Sequence, residues 1–508
     1  MREPAASPAT TRGRAVRLGC WIALLILLLG GQTAWLIALR GEAILHDHPL
    51  LFGGWLVGGL ACLLLLLLLK TTPRNAIRTS PTTGGVIVVV GTLWLQVAAV
   101  VLLPPALSED VLRYRADGKL WLLGESPYAN PPRRLREVAA TEADLPLDVL
   151  DAGVQFQDAP TIYLPVSQAA FITGASLEVA LLPEPPTVEP EAVVPWRQAV
   201  LTLPWWQRAT VLRAMMGLAV VLTAAVLIRA LAEARRSVWW AVLFAWHPLV
   251  VVEAGGMGHQ DFLGVLLLAL MIRRLQRDRA ARAGVLLGLA ALVKPHVLLL
   301  LPWAMRRVGG RYGARRALRV PVATAAAVLL PCALLMPWDG GLAGWWGTFS
   351  RYTGGWEANG GFYRGLVELL PDVLPGGFDV KATARLVGGL VAVAAVAAAW
   401  VLRSGVTAGA YVALLGLVLV SPVAYPWYLS WALVPAVLLG PRPGAGGLTA
   451  LVWAATAGMS YQLWHEPAWA LPWPWLAAEY VPVAVALAVE LALLRRRRGR
   501  ELGRRPIP

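Results

Sequence analysis

Hydrophobic residues run along this chain in long blocks, broken by short connections rich in arginine and proline. Blocks of roughly 20 apolar residues are the length needed to cross a bilayer as helix. One extends from Arg17 to Leu39, a second from Leu51 to Lys70 and a third from Val86 to Leu103. Further blocks begin near Ala209, Trp239, Asp261, Val320, Leu386, Val406, Trp427, Leu448 and Leu476. The stretch between Arg282 and Arg306 holds one span's worth of residues, although both flanks carry positive charge. Two half-length helices meeting at Lys294-Pro295 resolve this, because proline cannot continue a helix and a broken helix is tolerated where it lines a protein cavity. The pattern predicts an all-α polytopic membrane protein with about 12–14 transmembrane helices, one pair of them broken.

Lysine and arginine set the orientation, since positive connections stay on the cytoplasmic side. Arg12, Arg14 and Arg17 place the N-terminus inside, and Arg495 to Arg498 do the same for the C-terminus. The divisions that follow are a cytoplasmic tail (1–16), three spans (17–103) and an extracytoplasmic segment rich in carboxylates (104–208). Next come a membrane region with the break near 294–295 (209–336), a second extracytoplasmic loop (337–383), the C-terminal spans (384–494) and a basic cytoplasmic tail (495–508).

Composition agrees with a bilayer as solvent. The 508 residues are 57% hydrophobic and 15% charged, more apolar surface than a water-soluble domain can hide. A net charge of +15 would suggest nucleic acid in a soluble protein, but here the cations sit between apolar spans and face lipid headgroups, so no nucleic-acid partner is expected. The three cysteines, Cys20, Cys62 and Cys332, lie in apolar stretches and offer neither a disulfide framework nor zinc spacing. His46-Asp47-His48 is too little for a metal site. The apolar run after the basic N-terminus is too long for a signal-peptide core, which makes it a retained first span.

Polar groups are expensive in or beside a membrane, so their distribution is informative. They collect on the extracytoplasmic side. Glu109 and Asp110 follow directly on a span, either as a solvated helix start or as a general base placed to meet a lipid-borne substrate. Asp110, Arg113 and Asp117 share a helix face at spacings of three and four, and Arg113 and Arg115 could equally anchor to headgroups. His259 and Asp261 flank the mouth of a span, as a helix cap or as site residues. Lys294, followed by Pro295 and His296, needs an anion, either a phosphate or a structural partner such as Asp110 or Asp261. Tyr425, Trp427, Tyr428 and Trp431 read as interfacial aromatics first and as a sugar-stacking platform second.

The segments Ser108 to Gly118, Gly124 to Tyr128, Thr161 to Pro165, His247-Pro248-Leu249 with Glu253, Gly258 to Asp261, Leu292 to Pro295 and Ser421 to Tyr428 occur in one order along the chain. Together they resemble the polyprenol-phosphate-sugar-dependent glycosyltransferases of the membrane GT-C class, in particular the bacterial mannosyltransferase-like group called family 87. The resemblance covers the chain from about Leu107 to Trp431; the first two spans carry no motif, and Leu164 and Lys119 stand where the group more often has proline and arginine.

The resemblance implies a GT-C-like bundle with an extracytoplasmic catalytic loop in the bacterial cytoplasmic membrane. It implies transfer of a hexose, mannose favoured, from a polyprenyl phosphate sugar to a hydroxyl of a glycolipid or glycan acceptor, with inversion. Asp110 would be the base with Glu109 beside it, and Lys294 and Arg113 would meet the donor phosphate. Sugar or acceptor would be held by Asp117, Tyr114, Tyr163, His259, Asp261, His296, Tyr425, Trp427 and Tyr428. A lipid monophosphate can depart unaided, so no metal or cofactor is expected. The rival readings are a lipid or ion transporter, and an oligosaccharide ligase or polymerase using a pyrophosphate-linked donor.

Overall fold

The helices form where apolar blocks meet start and stop signals. Pro81 opens one at its first position, and the hydroxyl of Ser80 accepts a hydrogen bond from the Thr83 amide at 3.0 Å, so the helix begins with a cap. It stops before Pro104-Pro105, whose rings cannot continue it. The computed structural model describes residues 19–46, 48–71, 80–142, 146–336, 341–373, 375, 377–402, 404–440, 447–466 and 469–502.

In chain order the principal helices are α1 (Gly19–Ala38), α2 (Pro49–Thr71), α3 (Pro81–Leu102), α4 (Asp110–Leu122), α5 (Pro165–Leu181) and α6 (Thr210–Glu233). A bent pair follows, α7 (Val238–Ala245) and α8 (Pro248–Gly256), then α9 (Asp261–Gln276), α10 (Ala280–Ala291), α11 (Leu301–Tyr312) and α12 (Ala314–Leu335). The remainder are α13 (Gly341–Gly355), α14 (Gly361–Val373), α15 (Val380–Val401), α16 (Val406–Val420), α17 (Pro426–Leu439), α18 (Leu448–Thr456) and α19 (Trp473–Leu502). Among the described residues only isolated bridges accompany them, such as Ala358 with Val423.

The chain is an all-α, multi-pass membrane protein. Seven helices among the described residues are long and apolar enough to cross alone, or eight if the bent pair counts as one span. Three shorter apolar helices, α10, α16 and α17, add to these. The central span is α6, covered along most of its length, whereas α12 is almost bare of protein and presents Val322, Leu329, Leu330 and Leu334 outward.

Among the described residues two breaks interrupt the spans. One lies where the sequence places it: α10 ends at Ala291, Lys294 is extended, and Pro295–Leu300 makes a 3-10 turn that leads into α11. The other was not anticipated. The block from Trp239 to Val252, expected as one straight span, bends by 61° between α7 and α8. His247 caps α8 through Nδ1, which accepts from the Leu249 amide at 3.2 Å, and Pro248 occupies the first helical position. The cap and the proline that favour a helix start also prevent α7 from continuing.

The segments expected as extracytoplasmic loops are folded. Residues 104–208 carry α4, α5 and several short helices, and 337–383 carry α13 and α14. The last helix runs on through the start of the basic tail to Leu502.

Small residues let helices touch. At Gly284 and Gly288, four apart on α10, the backbone lies against Val320 and Thr324 of α12, and the Thr324 hydroxyl donates to the Gly284 carbonyl at 3.0 Å. Gly118 on α4 presses on the Phe171 carbonyl and Ala175 of α5. A methyl group there would collide with backbone that cannot turn aside. Gly118→Ala is expected to cost about 1–3 kcal/mol, read as a lower thermal midpoint of the detergent-purified protein; an unchanged midpoint would contradict the close approach.

Candidate functional site

Arg213, near the start of α6, is completely buried. Its guanidinium donates to the carbonyls of Ala99 (3.1 Å) and Leu103 (2.6 Å) at the end of α3, and to those of Gly255 (3.2 Å) and Gly256 (2.8 Å) at the end of α8. The Ala99 carbonyl also accepts from the Leu103 amide at 3.1 Å, but carbonyls at helix ends generally lack helical partners, and one arginine serves two such ends together. This clamp fixes the two backbone segments from which the site is built: the approach to α4 and the turn before α9.

Asp110 opens α4 on the first of these. Its amide donates to the Ser108 hydroxyl at 3.3 Å, and its side chain is 30% exposed. Along the same helix Tyr114 stacks on Phe171 at 4.4 Å and meets Tyr163 edge-on at 4.9 Å, which seats α4 on α5. On the second segment Gly258 adopts φ +81°, a conformation open to glycine, and turns His259 toward Asp110. His259 is fully buried, with Nδ1 3.4 Å from Asp110 Oδ2 and Nε2 3.2 Å from Glu253 Oε2. Glu253 in turn accepts from the Tyr461 hydroxyl at 2.7 Å. Burial works against a charge on His259, but the two flanking carboxylates outweigh it and push the imidazole up to about 9.

His259 also stacks on Trp427 (3.7 Å), which stacks on Tyr425 (4.4 Å). Lys294 Nζ lies 2.7 Å from Asp261 Oδ1 and 3.8 Å over the Tyr428 ring. Asp261 Oδ1 also accepts from the Trp431 indole at 2.8 Å, and Gly264 gives that indole room to lie on α9. His296 packs edge-on against Trp431 at 4.8 Å.

Many of these side chains border a cavity of about 1090 Å³. Of the residues singled out in the sequence, Glu109, Asp110, Arg113, Tyr114, Tyr163, Asp261, Lys294, His296, Tyr425, Trp427 and Tyr428 line it. Asp117 and His259 do not. Both are fully buried behind the wall. Asp117 accepts from Arg113 Nε (2.8 Å), the Thr161 hydroxyl (2.5 Å) and Gln168 Nε2 (2.9 Å), and it thereby holds Arg113 at the cavity. The pairing of Lys294 with Asp261 is the structural alternative that the sequence left open.

Arg115 is not a headgroup anchor. It is buried among Asp148 (2.7 Å), Asp151 (2.6 Å) and Glu178 (2.5 Å), with Lys119 joined to the two aspartates. Burial alone would raise the Asp148 carboxyl, yet Arg115 and Lys119 hold it well below the usual carboxylate range. A wall that sequence reasoning passed over comes from α13 and the residues after it: Trp345, Arg351, Tyr352 and Trp356. The Tyr352 hydroxyl meets that of Tyr428 at 2.7 Å, and the Trp356 indole donates to the Tyr425 hydroxyl at 3.1 Å. The available signal was the aromatic density of Trp345 to Trp356.

Among the described residues no cluster of histidine, cysteine and carboxylates could hold a metal. Asp47 and the side chains of His46 and His48 lie outside them.

A large aromatic cavity with the partly exposed Asp110 carboxylate on its wall, reached from several spans, is an arrangement suited to moving a sugar. Residues 198–426 match glycosyltransferase family 87. The family 87 region takes in Arg213, Glu253, His259, Asp261, Lys294 and Tyr425, and supports glycosyltransferase activity. It begins after Asp110 and the rest of α4, which meet it across the Asp110 to His259 contact. No curated protein matches the chain.

Glu109 supplies a test of the site's electrostatics. Burial, reinforced by the negative charge of Asp110, pushes its carboxyl up to about 7 from an ordinary 4.5. Between these values the folded protein keeps a proton that the unfolded chain has released, so stability from this group falls as pH rises through that window. Glu109→Gln removes the effect. Its thermal midpoint relative to wild type is expected to rise from pH 5 to pH 8 (about 4.5 to 7 being the active window); a difference independent of pH would contradict the burial of this carboxyl.

Proposed function

We propose that the protein transfers a hexose, mannose favoured, from a polyprenyl phosphate sugar to a hydroxyl of a glycolipid or glycan acceptor. The reaction takes place at the outer face of the bacterial cytoplasmic membrane, with both termini in the cytoplasm. The observation that carries this reading is Asp110, a partly exposed carboxylate on the wall of a cavity rich in aromatic rings.

Asp110 takes the proton of the acceptor hydroxyl as its oxygen attacks the anomeric carbon. The bond from that carbon to the phosphate oxygen breaks, and the phosphate leaves with the electron pair. Attack opposite the leaving group inverts the anomeric centre. Asp110 Oδ2 already faces His259 and the Tyr114 hydroxyl, which donates to it at 3.3 Å, so Oδ1 is the oxygen left for the acceptor. Glu253 and His259 act as positioning residues, holding Asp110 in one orientation from within the protein. Tyr425, stacked on Trp427, offers a ring face to a sugar, and Lys294 and Arg113 place positive charge on the same walls.

The test is incubation of the purified protein with labelled polyprenyl phosphate mannose, glucose and arabinose in the presence of membrane lipid extract. Asp110→Asn keeps the shape and removes the base, and is expected to lower transfer by about 10²- to 10⁴-fold. Undiminished transfer in this variant would refute the assignment of the base. Absence of transfer from every monophosphate donor would refute the donor class.

A further inference from the structure

Among the described residues four cationic side chains line the cavity: Arg113, Lys294, Arg351 and Lys381. Three of them are matched by a carboxylate. Arg113 lies 2.8 Å from Asp117, Lys294 lies 2.7 Å from Asp261, and Lys381 lies 3.1 Å from Glu357. A cation with an opposite charge at that distance presents little net field to a third group. Arg351 differs. Its guanidinium donates only within its own helix, to the Gly347 carbonyl at 3.2 Å and the Thr348 hydroxyl at 3.5 Å, and it has no acidic partner among the described residues.

The position of Arg351 is as informative as its charge. On α13 the side chains of Trp345, Thr348, Phe349, Arg351 and Tyr352 border the cavity. Leu342 and Trp346, on the same helix, are 61% and 60% exposed. Large apolar side chains left bare on a membrane protein face lipid, and tryptophan favours the level of the headgroups. The helix therefore separates bilayer from cavity, and Arg351 stands where the head of a lipid passing between them would arrive.

We propose that Arg351 is the primary contact for the phosphate of the lipid-linked donor, with Lys294 serving chiefly as counter-ion to Asp261. This rests on the donor class proposed above. Its chemistry fits, because the planar guanidinium offers paired donors that match two phosphate oxygens, and no existing ion pair has to be broken first. The aromatic rings beside it give the first part of the lipid chain an apolar wall.

The experiment measures binding of a short-chain polyprenyl phosphate, and of the corresponding uncharged polyprenol, to the full-length protein in nanodiscs. Wild type, Arg351→Ala and Arg351→Lys are compared, with thermal midpoints recorded for each. Arg351→Ala is expected to weaken polyprenyl phosphate binding by about 10- to 100-fold while leaving polyprenol binding and the midpoint unchanged. Arg351→Lys is expected to fall between, and in turnover assays the donor KM should rise more than kcat falls. Equal polyprenyl phosphate affinity in Arg351→Ala and wild type would overturn the proposal, as would an equal loss for phosphate and alcohol. If Arg351 governs phosphate binding but the wild type transfers from no monophosphate donor, the phosphate contact stands and the reaction proposed above fails.

Discussion

The structure turns on the contact between Asp110 and the buried His259. It joins the first residue of α4 to the turn between α8 and α9, and brings the segment preceding the family 87 region against that region's core. An imidazole buried away from water favours its charged form only with carboxylates beside it, and Asp110 and Glu253 place one near each ring nitrogen. Tyr461 backs Glu253, and Trp427 covers the ring face. Asp110 is thus the cavity end of a chain of buried polar groups, and its orientation follows from the packing of several helices.

The same principle governs the rest of the scaffold. Several enclosed backbone ends and charges have a dedicated partner: Arg213 for the ends of α3 and α8, Asp117 for Arg113, and three acids for Arg115. Such buried pairs add little net stability compared with apolar packing, but removing one partner is costly. They therefore hold the 104–208 segment in one arrangement against the spans, and that arrangement places α4 at the cavity.

Much of this was legible in the sequence because the physics was local. Apolar block length marked the spans, and Lys294-Pro295 marked a break, since proline denies the helix a donor and its ring clashes. Asp110, Tyr163, Lys294 and Trp427 stood out as polar or aromatic groups at the ends of apolar runs, and the fold brings them to one cavity. What could not be read depends on distant partners. The bend at His247-Pro248 sits within a block that is apolar throughout, so hydropathy is blind to it. Arg213 resembles any arginine at a span's edge until the carbonyls of Ala99 and Gly256 are seen around it. Asp117 shares a face with Asp110 by spacing, yet Thr161 and Gln168 enclose it. Arg351 lies in a segment that reads as loop, and its importance comes from the pairing of the other three cations.

In the proposed reading the site has Asp110 as a fixed base, an aromatic wall and, in Arg351, a cation with no acidic partner among the described residues. The most direct measurement is a cryo-EM structure of the protein in nanodiscs with a non-transferable polyprenyl phosphate sugar analogue. The account requires the sugar in the cavity with its anomeric carbon facing Asp110 and its phosphate at the α13 wall. A donor bound elsewhere, or a sugar turned away from Asp110, would contradict it.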